Sequence, residues 1–115
     1  MTKLKKYYHN KLIRDKIPQV IESAGGKGSY KILSGKKFEE EVKKKLLEES
    51  KELAKAPKEE ILNELADVLE LIKSIADHYK IKFSKVEEYQ KEKRRKRGGF
   101  KKKLFLVWST GKAGK

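Results

Sequence analysis

Apolar residues recur at helical spacing along two consecutive stretches in the middle of the chain. The first stretch begins at a predicted N-cap, Ser34, and runs to about Lys55, with apolar residues on one helical face at Phe38, Val42, Leu46 and Leu53. The second begins at Pro57 and continues with the same period to about Tyr79. Because the break at Ala56-Pro57 leaves so short a link, we expect the two helices to form an antiparallel hairpin.

Shorter elements are expected on both sides of the hairpin, where capping and turn residues interrupt the apolar pattern. A first helix is predicted from its cap at Asp15 to near Ala24, where Gly25-Gly26 ends it. A fourth helix is predicted from a capping box at Ser84 and Glu87 to just before Gly98. Two strands are expected, at Ser29–Leu33 and Lys103–Trp108. The predicted fold class is all-α: a helical hairpin or four-helix bundle built through oligomerisation, with short N- and C-terminal extended segments. Residues 1–108 are expected to form one helical domain, and residues 109–115 a flexible basic tail.

The composition favours a small cytoplasmic protein that associates with itself. Only 37% of the residues are hydrophobic, which is little for a self-sufficient core, so we expect a homodimer or homotetramer. The chain has no cysteine, as suits a reducing cytoplasm, and no apolar run approaches the roughly 20 residues that span a bilayer. Lys and Glu dominate a charged content of 42%, a bias that is typical of proteins from thermophiles.

The formal net charge of +14 predicts an anionic partner, either nucleic acid or a small phosphorylated molecule. A lysine-rich, thermostable surface would explain the same charge without any partner. The basic run from Lys91 to Lys103 holds the main candidates for phosphate binding, which are Arg97, Lys93, Arg94 and Lys101. Arg97 is favoured among them because the adjacent Gly98 allows close backbone approach, and Arg14 and Lys16 are weaker candidates.

Acidic residues interrupt the apolar stripe of each hairpin helix. At about 100° per residue, Glu49 falls about 20° from Phe38, in the middle of the first stripe, and Glu52 lies at its edge. On the second helix, Glu64 and Asp67 lie on or beside the apolar face, again three residues apart. Carboxylates that are buried together require a cation, so the pattern predicts a divalent metal.

Oxygen-only ligation favours Mg²⁺, with Mn²⁺ as a substitute. Zinc is disfavoured because the chain has no cysteine and only two histidines, His9 and His78; the latter is expected to be a helix-end residue. Lys45, at the edge of the stripe, is the alternative source of neutralising charge.

Three motifs together resemble a known family. The acids Glu48-Glu49-x-x-Glu52 and Glu64-x-x-Asp67 resemble the E-E-x-x-E and E-x-x-D signature of the all-α nucleoside triphosphate pyrophosphohydrolases, the MazG-type enzymes. The flanking segments Asn10–Pro18 (NKLIRDKIP) and Lys96–Phe100 (KRGGF) look like those of a phosphoribosyl-ATP pyrophosphohydrolase-like subgroup. The likeness covers roughly residues 8 to 107.

The resemblance implies a Mg²⁺-dependent enzyme that hydrolyses a nucleoside triphosphate between its α- and β-phosphates, giving a monophosphate and pyrophosphate. Nucleotide-pool house-cleaning is the role that such an activity would serve. By matching motif positions, the resemblance implies Glu49, Glu52, Glu64 and Asp67 as the metal ligands and a supporting role beside them for Glu48. One acid of the cluster, Glu52 or Glu49, is expected to be the general base. The alternatives are the phosphoribosyl-ATP pyrophosphohydrolase of histidine synthesis and, from another class, a nucleic-acid-binding module, which is disfavoured because no recognition helix or aromatic platform is visible.

Overall fold

The computed structural model describes residues 5–111, which contain four α-helices and no β-strand. The helices are α1 (Ile17–Ser23), α2 (Gly35–Lys55), α3 (Ile61–His78) and α4 (Phe83–Arg97), with a single 3₁₀ turn at Lys58–Glu60. The chain divides into two compact units, Met1–Ile81 and Lys82–Lys115. The all-α prediction is therefore confirmed, whereas the prediction of one helical domain over 1–108 stays a prediction.

Local sequence explains where α2 begins and ends. The Ser34 side chain accepts a hydrogen bond from the backbone N–H of Lys37 at 3.2 Å, so Ser34 is the N-cap that the sequence predicts. At the other end Ala56 adopts an extended conformation, which is the conformation that a following proline favours. Pro57 then precedes the 3₁₀ turn, which leads directly into α3.

Helices α2 and α3 form the predicted antiparallel hairpin. The beginning of α2 meets the end of α3, where Glu39 bonds His78, and Glu49 near the end of α2 meets Glu64 in the first turn of α3. Their shared core is small: Val42, Leu71 and Ala76 are the buried apolar residues among those described. His78 is the last residue of α3, as expected, and its ring also contacts the Phe38 ring with centroids 5.2 Å apart.

The α3 helix ends in a Schellman motif with an unusual residue at its centre. The Ile81 N–H donates to the Ala76 carbonyl at 2.8 Å, and the Lys80 N–H to the Asp77 carbonyl at 2.9 Å. Lys80 therefore takes a left-handed conformation with φ of 58°, a position that glycine usually fills. The short helix α1 ends in the same motif with Gly25 at the corresponding position.

Both strand predictions are wrong. Ser29–Leu33 and Lys103–Trp108 carry no strand, and within residues 5–111 neither segment has a neighbouring strand to bond with. A strand exists only through hydrogen bonds to another strand, so a β-like composition alone cannot form one. The predicted tail over 109–115 lies partly outside the described residues.

Two helix caps also differ from prediction. Asp15 does not cap α1, because it lies in a turn closed by the Ile17 N–H bonding to the Arg14 carbonyl at 3.1 Å, and Lys16 takes the N-cap position. Ser84 is already inside α4, whose N-cap is Lys82 and has no side-chain capping bond.

A row of apolar side chains on α3 remains exposed. These residues recur at intervals of three and four, which places them on one face of the helix: Leu62, Leu65, Leu69 and Ile72. Leu62 is the most open of them, at 81% exposed. None of the helices in the described part of the chain has the length and apolarity needed to cross a membrane.

Candidate metal centre

Three carboxylates from the two hairpin helices converge near the closed end of the hairpin. Glu49 of α2 and Glu64 and Asp67 of α3 each place one carboxylate oxygen within 4.8 Å of the others. The antiparallel pairing sets the last turns of α2 beside the first turn of α3, and the three-residue spacing puts the two α3 acids on one face. We refer to these three residues as the acid triad.

Glu64 carries the least compensated charge of the acid triad. Its Oε2 atom is buried, and no hydrogen-bond donor among residues 5–111 reaches it. Burial raises the pKa of the Glu64 carboxyl above its ordinary value, and the nearby charges of Glu49, Asp67 and Glu52 raise it further. An oxygen that lacks a proton donor and faces other carboxylates is suited to bind a cation, so the residues present fit a divalent metal.

Two basic side chains neutralise the other members of the acid triad. The Lys45 Nζ atom lies 4.0 Å from Glu49 Oε1, and both side chains are only 18% exposed. The Arg14 guanidinium donates from Nη2 to Asp67 Oδ1 at 2.7 Å. Each basic group pairs with one acid, which leaves Glu64 between them with no such partner in the described part of the chain.

The other acids predicted for the site lie around the triad. Glu52 is exposed and does not join the group of three, although its charge is close enough to raise the pKa of Glu64. Glu48 is also exposed and lines a small cavity together with Lys45 and residues of the N-terminal segment, Asn10 and Lys11.

The predicted phosphate-binding residues are distributed over both units. Arg14 reaches the acid triad, whereas Lys16 is exposed and lines an open cavity together with Gln19 and Val20. The remaining candidates are exposed residues of the second unit, Lys93, Arg94, Arg97 and Lys101. Their contact with a phosphate chain at the acid triad stays a prediction.

Sequence reasoning did not find the pairing of Arg14 with Asp67. The two residues are 53 positions apart, and Arg14 lies in a segment without regular secondary structure. Helical periodicity predicts which residues share a face of one helix, but it gives no information on which residues an irregular segment contacts.

The acid triad offers carboxylate oxygens that could bind a metal cation. The basic groups Arg14 and Lys45 stand at its edge, where they would attract an anionic ligand of such a cation. Comparisons of the chain with protein-family models, curated proteins and solved structures return no match.

Proposed function

We propose that this protein is a Mg²⁺-dependent pyrophosphohydrolase that cleaves a nucleoside triphosphate between its α- and β-phosphates. The observation that carries the proposal is the convergence of Glu49, Glu64 and Asp67, with a buried Glu64 oxygen that has no hydrogen-bond partner among residues 5–111. The motif resemblance supplies the substrate class, and the net charge of +14 suits an anionic substrate.

Each residue of the site has a role in this proposal. Glu49, Glu64 and Asp67 would hold the metal, whose charge would screen the phosphates and acidify a water molecule for attack. Glu52 accepts the proton of that water, because it is exposed near Glu64 but outside the group of three. Lys45 holds the Glu49 carboxylate in place from one helical turn away.

The direct test is pyrophosphate release from a panel of nucleoside triphosphates and phosphoribosyl-ATP in the presence of Mg²⁺. E49Q and E64Q should abolish turnover while circular dichroism shows an intact helical fold, because each removes one charged ligand. The matched control is E70Q, which changes an exposed acid of the same helix that belongs neither to the acid triad nor to the groups that perturb Glu64.

Absence of pyrophosphate from every substrate would refute the activity, and full turnover by E64Q would refute the ligand assignment. Hydrolysis of phosphoribosyl-ATP alone would favour the histidine-pathway alternative.

A nucleic-acid-binding role is the second candidate, favoured by the exposed basic residues of α4. The last turn of this helix contains four consecutive basic residues, Arg94 to Arg97. A gel shift of duplex DNA that weakens with salt but survives EDTA and E64Q would favour this role, because it would not depend on the acid triad.

We propose in addition that the exposed apolar face of α3 packs against a second copy of the chain. The face repeats at heptad-like spacing, as in helices that pack side by side in bundles, and the buried core of the described residues is small. Pairing two hairpins through this face gives the expected homodimeric four-helix bundle.

A further inference from the structure

Arg14 occupies a position that matters for both metal and substrate. It lies in the segment that precedes α1 and crosses to α3, where its Nη2 atom donates to Asp67 Oδ1 at 2.7 Å. Asp67 is one of three residues whose carboxylate oxygens converge within 4.8 Å. The Arg14 guanidinium therefore supplies positive charge where, under the proposed function, a divalent cation would supply it.

The ion pair between Arg14 and Asp67 could be replaced by a contact of Arg14 with another anion. The Arg14 side chain is 56% exposed and that of Asp67 is 32% exposed, so solvent screens their attraction. Only one guanidinium nitrogen bonds Asp67, and a guanidinium has five N–H donors in a planar fork. Most of its capacity to bind an anion is thus unused by this contact.

A divalent cation at the acid triad changes the balance of charge. It neutralises Asp67, which removes the main attraction for Arg14, and it repels the guanidinium directly. A polyphosphate chain bound to that cation brings new negative charge to the same place, and its oxygens match the planar fork of arginine.

We infer that Arg14 is an exchangeable cation: it neutralises Asp67 in the metal-free protein and moves to a phosphate oxygen when the metal and its polyphosphate ligand bind. This inference rests on the proposed function. It makes Arg14, rather than the basic run of the second unit, the first contact of the substrate's phosphate chain with the protein. It also makes the N-terminal segment respond to occupancy of the metal site.

The inference predicts opposite effects of one variant on two ligands. In R14Q, Mn²⁺ alone should bind about threefold to fivefold more tightly than in wild type, because no exposed ion pair has to be broken. Preformed Mn²⁺–tripolyphosphate should instead bind about tenfold more weakly, because charge-assisted bonds to phosphate are lost. R14K keeps the charge but not the fork, so it should restore wild-type Mn²⁺ affinity and recover tripolyphosphate binding only in part.

Isothermal titration calorimetry of the full chain measures both affinities without any turnover. The matched control is R95Q, which removes an arginine whose ion pair with Glu92 has the same 2.7 Å length but lies within α4. R95Q should leave both affinities near wild type. A second measurement is hydrogen exchange of residues 10–16, which should speed up when Mn²⁺ is added and slow down again when tripolyphosphate follows.

The outcomes separate the inference from the function on which it rests. If wild type binds no Mn²⁺, the proposed metal site fails and the inference falls with it. If wild type binds Mn²⁺ but R14Q binds it equally or more weakly, the metal site stands and the exchange of Arg14 is refuted. Unchanged tripolyphosphate affinity in R14Q refutes the phosphate contact.

Discussion

Replacing Glu64 by glutamine tests whether the acid triad is built for a cation. In the metal-free protein, Glu64 Oε2 is buried with no donor from the described residues, and the charges of Glu49 and Asp67 act on it unfavourably. Glutamine has nearly the same shape but no charge. E64Q should therefore melt at a higher temperature than wild type when EDTA removes divalent ions.

Added Mn²⁺ should reverse this order of melting temperatures, so that wild type melts above E64Q. An ion that binds only the folded state stabilises it by RT ln(1 + [L]/Kd), which is about 2.7 kcal/mol at a hundredfold excess over Kd. For a domain near this size, 1 kcal/mol raises the melting temperature by about 4 °C, so wild type should gain roughly 10 °C with Mn²⁺. E64Q loses one of three ligand charges and should gain less than about 3 °C at the same Mn²⁺ concentration.

The pH dependence of the metal-free proteins adds an independent check. Folding raises the pKa of Glu64 above 4.5, so between that value and the raised pKa the folded state binds more protons than the unfolded state. The stability of wild type relative to E64Q should therefore fall as the pH rises through this window, and the two should converge below it.

Thermal unfolding followed by circular dichroism measures all of these quantities. E70Q is again the control, because Glu70 is exposed and is not among the groups that raise the pKa of Glu64. If E64Q melts below wild type in EDTA, and Mn²⁺ shifts both proteins equally, the triad is not a strained cation site and the reasoning is refuted.

Three further predictions concern the helices that carry the site. K80G should stabilise the protein by about 1 kcal/mol in urea unfolding, since glycine adopts the left-handed conformation without steric cost. V42A should destabilise it by about 2 kcal/mol in the same assay, because Val42 is 1% exposed and its lost methyl groups leave a cavity. L69E should convert a dimer to monomer in light scattering at micromolar concentration, whereas I32E, at a fully exposed position off the helices, should not.

Each of these three predictions would be contradicted by a specific result. A destabilised K80G would mean that the lysine side chain stabilises the helix end by more than its backbone conformation costs. A neutral V42A would show that the hairpin core does not depend on that contact. Wild type that is already monomeric would remove the basis for pairing through α3.

The hairpin could be predicted because its signals are local. Ser34 as a cap, Pro57 as a break and the helical period each act within a few residues, and all of them agree. The strands at Ser29–Leu33 and Lys103–Trp108 could not be judged in this way, because a strand depends on hydrogen bonds to a distant segment.

In the candidate site, too, the features set by local spacing could be predicted and those set by long-range contacts could not. The two α3 acids were predictable because their three-residue spacing fixes their common face. Glu52 bears the same relation to Glu49 along α2, yet it stays exposed outside the group of three, since the angle at which the helices pack decides which side chains meet. The contact of Arg14 with Asp67 could not be predicted, because it joins an irregular segment to a residue 53 positions away.

The distances along the chain between these residues set an order of assembly. Positions 49 and 67 close a loop of 18 residues when the hairpin forms, whereas Arg14 must close one of 53 residues to reach Asp67. Loop-closure entropy makes the longer connection costlier by about 1 kcal/mol. We therefore expect the carboxylates to come together during folding before Arg14 reaches Asp67, and the Arg14 contact to break first on local opening. In both situations, a cation in solution could reach the three acids while Arg14 is not in contact with Asp67.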